Sequence, residues 1–202
     1  MARRSLLREF RSLPNLLTLG RIGVIPLCVV FIDNYSPRRS FIATCLYILA
    51  SVTDYLDGYL ARRLGEVTVL GKFLDPLADK LIVMAALVYL VAADRVSAWI
   101  VVLILARELA ITGLRSIASS EGLVISASER GKEKTALQMV GILFLLVHFR
   151  HPILGTDVMV DYHVVGLYTL YLSVVMSIVS AIGYLQGFVL AMRDKERVEA
   201  AE

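Results

Sequence analysis

The sequence DYLDGYLARRLGEVTVLGKFLDPLAD, which runs from Asp54 to Asp79, decides how the rest of the chain can be arranged. Its four aspartates form two pairs, Asp54 with Asp57 and Asp75 with Asp79. Because the members of a pair are three or four residues apart, their carboxylates lie on one face of a helix, one turn apart. The residues on both sides, 42–52 and 81–91, are almost wholly apolar. We therefore predict that the four carboxylates stand at the ends of two membrane-embedded helices.

Carboxylates at such positions require a compensating positive charge. One charged side chain at the centre of a membrane helix costs about 2.5–3.5 kcal/mol on insertion scales, and four carboxylates also repel one another. Hard oxygen ligands suit Mg²⁺, Mn²⁺ or Ca²⁺, and no cluster of Cys or His lies near the stretch to favour zinc. The sequence therefore predicts that these aspartates bind divalent cations.

The composition indicates a membrane protein. The chain has 202 residues, of which 57% are hydrophobic, and its mean hydropathy is +0.71. Soluble domains are about 45–50% apolar. We predict an all-α integral membrane protein that forms a single domain over residues 1–202. The net charge of +3 is too small to indicate a nucleic-acid partner, and no secretory cleavage site is predicted.

Six apolar runs predict six transmembrane helices, each near the ~20 residues that a bilayer requires. We place them at about 14–32, 41–63, 71–92, 98–119, 133–149 and 165–192. Residues 1–13 alternate arginine with leucine and phenylalanine, which predicts a short interfacial helix or, alternatively, a positive topology signal alone. Residues 193–202 form a charged tail that we expect to be disordered. Pro76 marks the first turn of the third helix or kinks it.

Lysine and arginine are unevenly divided between the two ends of the predicted helices. On the side of the N-terminus lie Arg3, Arg4, Arg8, Arg11, Arg62, Arg63, Lys72, Arg115, Arg130, Lys132, Lys134, Arg193, Lys195 and Arg197. The opposite side has only Arg38, Arg39, Arg95 and Arg150. Because cytoplasmic loops carry the excess of basic residues, both termini and the aspartates are predicted on the cytoplasmic side of the cell membrane.

The spacing within the stretch is more specific than its charge. It reads D-x2-D-G-x2-A-R-x8-G-x3-D-x3-D, with Gly58, Ala61, Arg62 and Gly71 at the fixed places between the aspartates. This pattern resembles the signature of the CDP-alcohol phosphotransferase family, integral membrane enzymes of phospholipid synthesis, and all eight fixed positions match. The resemblance implies two divalent cations, Mg²⁺ or Mn²⁺, held by Asp54, Asp57, Asp75 and Asp79. It also implies that Asp79 is the base that takes the proton from the attacking hydroxyl.

A second set of residues is expected to bind the CDP-lipid, whose pyrophosphate two cations could grip. The set comprises Thr18, Arg21, Asp54, Gly58, Ala61, Arg62, Thr68 and Gly71. Gly58 and Ala61 would let the nucleotide approach the helix backbone, or serve helix packing alone. Arg62 suits a diphosphate, and Arg21, inside an apolar run, suits an anion or a carbonyl. The alternative for both arginines is that they extend to the membrane surface.

A third set is basic and predicts a pocket for a free phosphate monoester. It comprises Arg107, Thr112, Arg115, Ser128, Lys132 and Lys134. The alternative is the positive-inside bias alone. Arg107 argues against that alternative because it lies about two turns inside an apolar run. Glu108 is a conceivable partner, although adjacent residues of a helix face different ways.

Three flanking segments narrow the resemblance. PNLLTLGRI (14–22), ARELAITGLR (106–115) and GKEKTALQM (131–139) are similar to segments of bacterial phosphatidylglycerophosphate synthases. This implies transfer of a phosphatidyl group from CDP-diacylglycerol to sn-glycerol 3-phosphate, with release of CMP, and a homodimer. The alternatives are a related enzyme with another acceptor, such as a cardiolipin synthase or a phosphatidylinositol-phosphate synthase, and a divalent-cation transporter. The transporter is disfavoured because the aspartates are predicted at the cytoplasmic end rather than at the midplane.

Overall fold

The computed structural model describes residues 12–33, 35–64, 68–123, 130–152 and 157–199. Within these ranges the side chains at 14, 54–55, 57–62, 64, 69, 72–73, 75–76, 130–132 and 198–199 are not described. The described backbone is all-α apart from one short ribbon, which confirms the all-α part of the prediction. The helices are α1 (Leu13–Val30), α2 (Pro37–Leu64), α3 (Val69–Ala92), α4 (Ala98–Ser120), α5 (Arg130–Val147) and α6 (Tyr162–Glu199).

The helices match the six predicted apolar runs in number and order, but several ends differ. Helix α2 begins at Pro37 rather than near 41, since proline is favoured in the first turn of a helix. Helix α3 begins at Val69, not Gly71, because the Thr68 hydroxyl caps it by accepting from the Gly71 N–H at 2.9 Å. Pro76 therefore lies in the helix interior, and the first-turn alternative is wrong. The predicted interfacial helix falls mostly on residues 1–11, outside the described part of the chain.

The prediction of a disordered C-terminal tail is wrong for residues 193–199. Helix α6 continues to Glu199, and the Lys195 ammonium lies 2.8 Å from a Glu121 carboxylate oxygen at the end of α4. Lysine, arginine and glutamate have high helix propensity, so a charged segment continues an apolar helix readily. The Lys195 contact with α4 then favours that continuation.

The segment between the fifth and sixth predicted helices contains regular structure. Strands β1 (Arg150–Pro152) and β2 (Met159–Asp161) pair antiparallel, with Arg150 opposite Asp161. The Arg150 Nε donates to an Asp161 carboxylate oxygen at 3.0 Å, which favours this register. The other Asp161 oxygen accepts from the Val164 N–H at 3.3 Å and so satisfies one free donor at the start of α6.

Close helix packing depends on small residues. Helices α5 and α6 pack tightly where Gly141 and Gly166 lie. A Cβ atom at Gly141 would lie 3.0 Å from the Leu170 nitrogen, and one at Gly166 would lie 2.8 Å from the Leu145 nitrogen. Helix α1 packs on α2 and α3, and the core between the helices is apolar, with Leu87, Leu90, Ile142, Leu145, Leu146 and Leu170 fully buried.

Arg95, one of the few basic residues predicted on the opposite side, is a structural residue. It is 1% exposed, and its guanidinium donates to the carbonyls of Leu145 and Leu146 at 3.0 Å each. It also donates to the Ser40 hydroxyl at 2.8 Å and to the Asp33 carbonyl. Burial lowers the pKa of Arg95 to about 10, which leaves it charged at neutral pH. Arg95 thus joins the α1–α2 turn, α2 and the end of α5.

Candidate active site

The backbone places the four aspartates as their spacing predicts. Asp54 and Asp57 lie in the last turns of α2, Asp75 and Asp79 lie in the first half of α3, and the two helices are in contact. Helical spacing puts each pair on one face of its helix. Among the residues whose side chains are described, no three His, Cys, Asp or Glu side chains are grouped closely enough to hold a metal ion. That set includes Asp79 and leaves out the other three aspartates.

Asp79 lines a pocket between α3, α4 and α5. Its polar lining residues are Asp79, Lys80, Glu108, Lys134, Thr135 and Gln138, and its apolar lining includes Val83, Met84, Ile104, Leu105 and Leu109. The structure therefore brings Asp79, from the predicted metal-binding set, to the same pocket as Lys134, from the predicted phosphate-binding set. These two residues are 55 positions apart in the sequence.

A buried lysine and a mostly buried arginine share one carboxylate oxygen at this pocket. The Lys134 Nζ lies 2.6 Å from Glu108 Oε2, and the Arg107 Nη1 lies 3.2 Å from the same oxygen. The side chains of Lys134 and Arg107 are 6% and 12% exposed, whereas that of Glu108 is 40% exposed. Buried charges of one sign require such a partner because desolvation is not otherwise compensated. The contact confirms Glu108 as a partner of Arg107, although the two residues are adjacent in the helix.

Further hydrogen bonds hold this cluster. The Arg107 Nε donates to the Ser177 carbonyl of α6 at 3.0 Å, so Arg107 is fixed from two directions. The Thr112 hydroxyl donates to the Glu108 carbonyl at 2.7 Å and accepts from the Lys80 ammonium at 2.9 Å. Lys80 thereby links α3 to α4 beside Asp79.

Other members of the predicted phosphate set are placed differently. Arg115 is exposed, its guanidinium carbon lies 5.7 Å from the centre of the Tyr184 ring, and it is not among the residues that line the pocket. Ser128 and the side chain of Lys132 lie outside the described part of the chain. The pocket itself therefore contains Lys134, with Arg107 and Thr112 held next to it through Glu108.

Two residues of the predicted donor set, Thr68 and Gly71, lie at a buried contact between α1 and α3. The Asn15 side-chain amide donates to the Thr68 hydroxyl at 3.0 Å, and the same hydroxyl caps α3. A Cβ atom at Gly71 would lie 2.8 Å from Asn15 Oδ1, which explains the glycine by helix contact. Arg21 is 2% exposed, so the alternative in which it extends to the surface is wrong, and Thr18 is fully buried.

Three residues of this region were not predicted from the sequence. Glu108 and Lys80 line the pocket, and Asn15 holds the start of α3. The signal for Glu108 was available, because an acid within an apolar run requires a cation on a neighbouring helix. The sequence suggested Arg107 as one partner, and no sequence signal identified Lys134 as the other.

The family model of the CDP-alcohol phosphatidyltransferases matches residues 11–190. A CDP-diacylglycerol–glycerol-3-phosphate 3-phosphatidyltransferase of Bacillus subtilis is 44% identical over 149 residues, which cover 68% of this chain and 77% of that protein. One of Rickettsia felis with the same name is 34% identical and covers 90% of this chain and 97% of that protein. A CMP-forming cardiolipin synthase of rice, Oryza sativa, is 32% identical over 87% of this chain and 56% of its own length.

The family match extends over the aspartate-bearing helices and the pocket. A family model that covers 180 of 202 residues, from 11 to 190, includes every element that contributes to the pocket. The chain belongs to the CDP-alcohol phosphatidyltransferase family.

Proposed function

We propose that this protein is an enzyme that transfers the phosphatidyl group of CDP-diacylglycerol to sn-glycerol 3-phosphate. The products are phosphatidylglycerophosphate and CMP. Family membership supports the donor, and the names of the bacterial relatives support the acceptor. The observation that carries the proposal is the pocket in which Asp79 and Lys134 both stand, because a base and a phosphate-binding cation must act on one acceptor molecule.

Two divalent cations, Mg²⁺ or Mn²⁺, complete the proposed site. Asp54, Asp57, Asp75 and Asp79 would hold them, since these residues occupy one-face positions on two helices that touch, and carboxylate oxygens are the ligands that such ions prefer. When bound, the cations supply positive charge to the pyrophosphate and to the oxygens that enter and leave at phosphorus. The protein supplies the ligands from α2 and α3, which fix the distance between the two pairs.

Asp79 acts in the proposed reaction as the general base. The 1-hydroxyl of the acceptor gives its proton to the Asp79 carboxylate as its oxygen forms a bond to the lipid-side phosphorus of CDP-diacylglycerol. The bond from that phosphorus to the bridging oxygen breaks, and CMP leaves with that oxygen. Lys134 and Arg107 receive the phosphate of the acceptor, which carries close to two negative charges at neutral pH. Lys132, Thr112, Arg115 and Ser128 complete the proposed phosphate set.

The donor is proposed to lie along the ends of α2 and α3. Arg62 would pair with the diphosphate, and Gly58 and Ala61 would leave room for the cytidine beside the helix backbone. Thr18 and Arg21 are on the same helix as Asn15, whose contact with Thr68 fixes α1 against the start of α3. Gly71 is proposed to serve the donor site through this contact, because it allows the two helices to approach.

The family and its relatives support a membrane enzyme, and we propose six transmembrane helices in one domain over residues 1–202. By length and composition, one helix among the described residues, Tyr162–Arg197, is apolar enough to cross a membrane, and Asn15–Val30 is a shorter apolar helix. Large apolar side chains of α6 are exposed along its length, including Tyr168, Leu172, Val175, Val179, Ile182 and Leu190. Exposed apolar surface of this extent suits lipid or a second protomer, so we also propose a homodimer. Both termini and the site are proposed on the cytoplasmic side.

A second acceptor is kept as an alternative because one relative is a cardiolipin synthase. Family membership favours either enzyme over the cation-transporter alternative. The test is an acceptor screen with purified protein, labelled CDP-diacylglycerol and Mg²⁺ or Mn²⁺, in which CMP release is measured. We expect turnover with sn-glycerol 3-phosphate. Turnover with phosphatidylglycerol or inositol phosphate, and none with glycerol phosphate, would contradict the acceptor assignment.

The role of Asp79 has its own test. Asp79→Asn keeps the size of the side chain and removes the base, so CMP release should fall by a factor of about 10²–10⁴, the usual contribution of a general base. The matched control is Asp94→Asn, the same change in the turn after α3 and away from the pocket lining. Equal rates for the Asp79 variant and the control would contradict the assignment.

A further inference from the structure

Glu108 is the most exposed member of the ion cluster, yet it is the group that both cations meet. Its Oε2 atom accepts from Lys134 on α5 at 2.6 Å and from Arg107 on α4 at 3.2 Å. The carboxylate lines the pocket that contains Asp79, and the two cations behind it are nearly buried. The proposed reaction leaves this carboxylate without a role.

We propose that Glu108 is a positioning residue for the acceptor. It holds the Lys134 ammonium and the Arg107 guanidinium at one point on the pocket wall, so that a phosphate monoester meets two cations that are already in place. This inference rests on the proposed function, since it concerns the same pocket and the same acceptor.

Lys134 is the cation that depends most on this support. Lysine carries its charge on a flexible four-carbon stem, so an ammonium has a fixed position only when a partner holds it. Arg107 has a second contact, with the Ser177 carbonyl of α6 at 3.0 Å. Without Glu108, two buried positive charges on neighbouring helices would repel each other, and the α4–α5 side of the pocket would lose the contact that joins it.

The charges in the pocket explain why a carboxylate can stand beside a phosphate site. Three cations, Lys80, Arg107 and Lys134, surround it, and the carboxylates of Glu108 and Asp79 both lie at the pocket. Three positive charges and two negative charges leave one positive charge. A phosphate monoester carries about −1.5 to −2 at neutral pH, so this set still attracts it. Glu108 therefore leaves positive charge for the acceptor and still holds the two cations that orient the acceptor.

The test measures the KM for sn-glycerol 3-phosphate and the KM for CDP-diacylglycerol separately. Glu108→Gln should raise the KM for glycerol phosphate by about tenfold or more, which corresponds to about 1.4 kcal/mol. The KM for CDP-diacylglycerol should stay as in the wild type, which a general loss of structure would not allow. Glu121→Gln is the matched control, because it removes a carboxylate at the end of the same helix, paired with Lys195, and should change neither KM.

A double variant shows whether Glu108 acts through Lys134. Residues that work through one contact have non-additive effects, so Glu108→Gln combined with Lys134→Met should be no worse than Lys134→Met alone. If the two effects multiply, or if Glu108→Gln leaves the KM for glycerol phosphate unchanged or lowers it, the proposal is wrong. A lowered KM would mean that Glu108 merely repels the acceptor.

Glu108→Asp covers the case in which the glutamine variant does not fold. It keeps the charge and withdraws it by one methylene from the 2.6 Å contact with Lys134, so the KM for glycerol phosphate should again rise. A value at or below that of the wild type would overturn the inference. If the wild-type protein releases CMP with another acceptor and not with sn-glycerol 3-phosphate, the proposed function is wrong, whatever the variants show.

Discussion

Replacing Arg95 should be the most destabilising single change on the side of the molecule away from the pocket. Its buried guanidinium donates to the Leu145, Leu146 and Asp33 carbonyls and to the Ser40 hydroxyl. Leu145 and Leu146 lie at the end of α5, where helix carbonyls lack partners within the helix. Arg95→Met keeps the apolar stem and removes every donor, so these acceptors lose their partner in a dry environment.

The magnitude follows from those contacts. Each buried acceptor left unsatisfied costs about 1–3 kcal/mol. The Ser40 hydroxyl also bonds the Asp33 carbonyl at 3.0 Å, so two of the four acceptors keep a partner. Methionine also avoids the desolvation of a guanidinium. We therefore expect a net loss of about 3–5 kcal/mol, as for other broken buried charge contacts. For a chain of 150–250 residues this lowers Tm by about 6–20 °C.

The assay is thermal unfolding of purified protein in one detergent, followed by intrinsic fluorescence. Arg150→Met is the matched control, because its side chain is 72% exposed and its ion pair with Asp161 is on the surface. Exposed pairs contribute about 0–1 kcal/mol, so Tm should fall by no more than about 4 °C. Arg95→Lys should lie between the two, because one ammonium cannot reach all four acceptors. If Arg95→Met and Arg150→Met have the same Tm, the structural role assigned to Arg95 is refuted.

Two further predictions concern helix starts. Gly71→Ala places a Cβ atom 2.8 Å from Asn15 Oδ1, so thermal unfolding should show a stability loss of about 1–3 kcal/mol. Gly20→Ala is the control, because its Cβ atom meets nothing within 4 Å and should not destabilise the protein. Equal stability losses for the two variants would exclude a close α1–α3 contact. Asp161→Ala should lower stability by about 0.5–2 kcal/mol through loss of the contact with the Val164 N–H, whereas Asp161→Asn should keep most of it. The hydrogen bonds from Arg150 and Val164 lower the pKa of Asp161, so its contribution is present above the unfolded pKa and is lost as the pH falls through the folded one. A wild-type and Asp161→Asn pair with identical Tm profiles from pH 7 to pH 3 would contradict this.

The order of helices was predictable because it depends on local properties. Each apolar run became one helix, and the prolines and polar residues between runs marked the ends to within a few residues. The errors have local causes that compete with hydropathy. Thr68 starts α3 earlier by capping it, and Lys195 extends α6 through its contact with Glu121. The ribbon at 150–161 was missed because strands of three residues are too short for a periodic pattern.

The candidate site was predictable in part. Asp79 and Lys134 were both identified by residue type and by position near the ends of apolar runs. Their meeting in one pocket could not be predicted, because it depends on how α3, α4 and α5 pack. Arg115 shows how packing places two residues of one segment differently. It belongs to the same basic segment as Arg107, but it lies two turns further along α4, and that places it against Tyr184 instead of in the pocket lining.

The sequence by itself determined the helical class, the six helices and the one-face spacing of both aspartate pairs. These depend on hydropathy and on the helical period, which act over a few residues. Only the tertiary structure decided that Glu108 joins Arg107 to Lys134, which is 26 residues from Glu108 in the sequence. It also decided that Arg95 joins the α1–α2 turn, α2 and the end of α5. Such contacts arise from the packing of whole helices, where a small rotation of one helix would bring different side chains together. For that reason residue type identified the charged groups, and packing selected their partners.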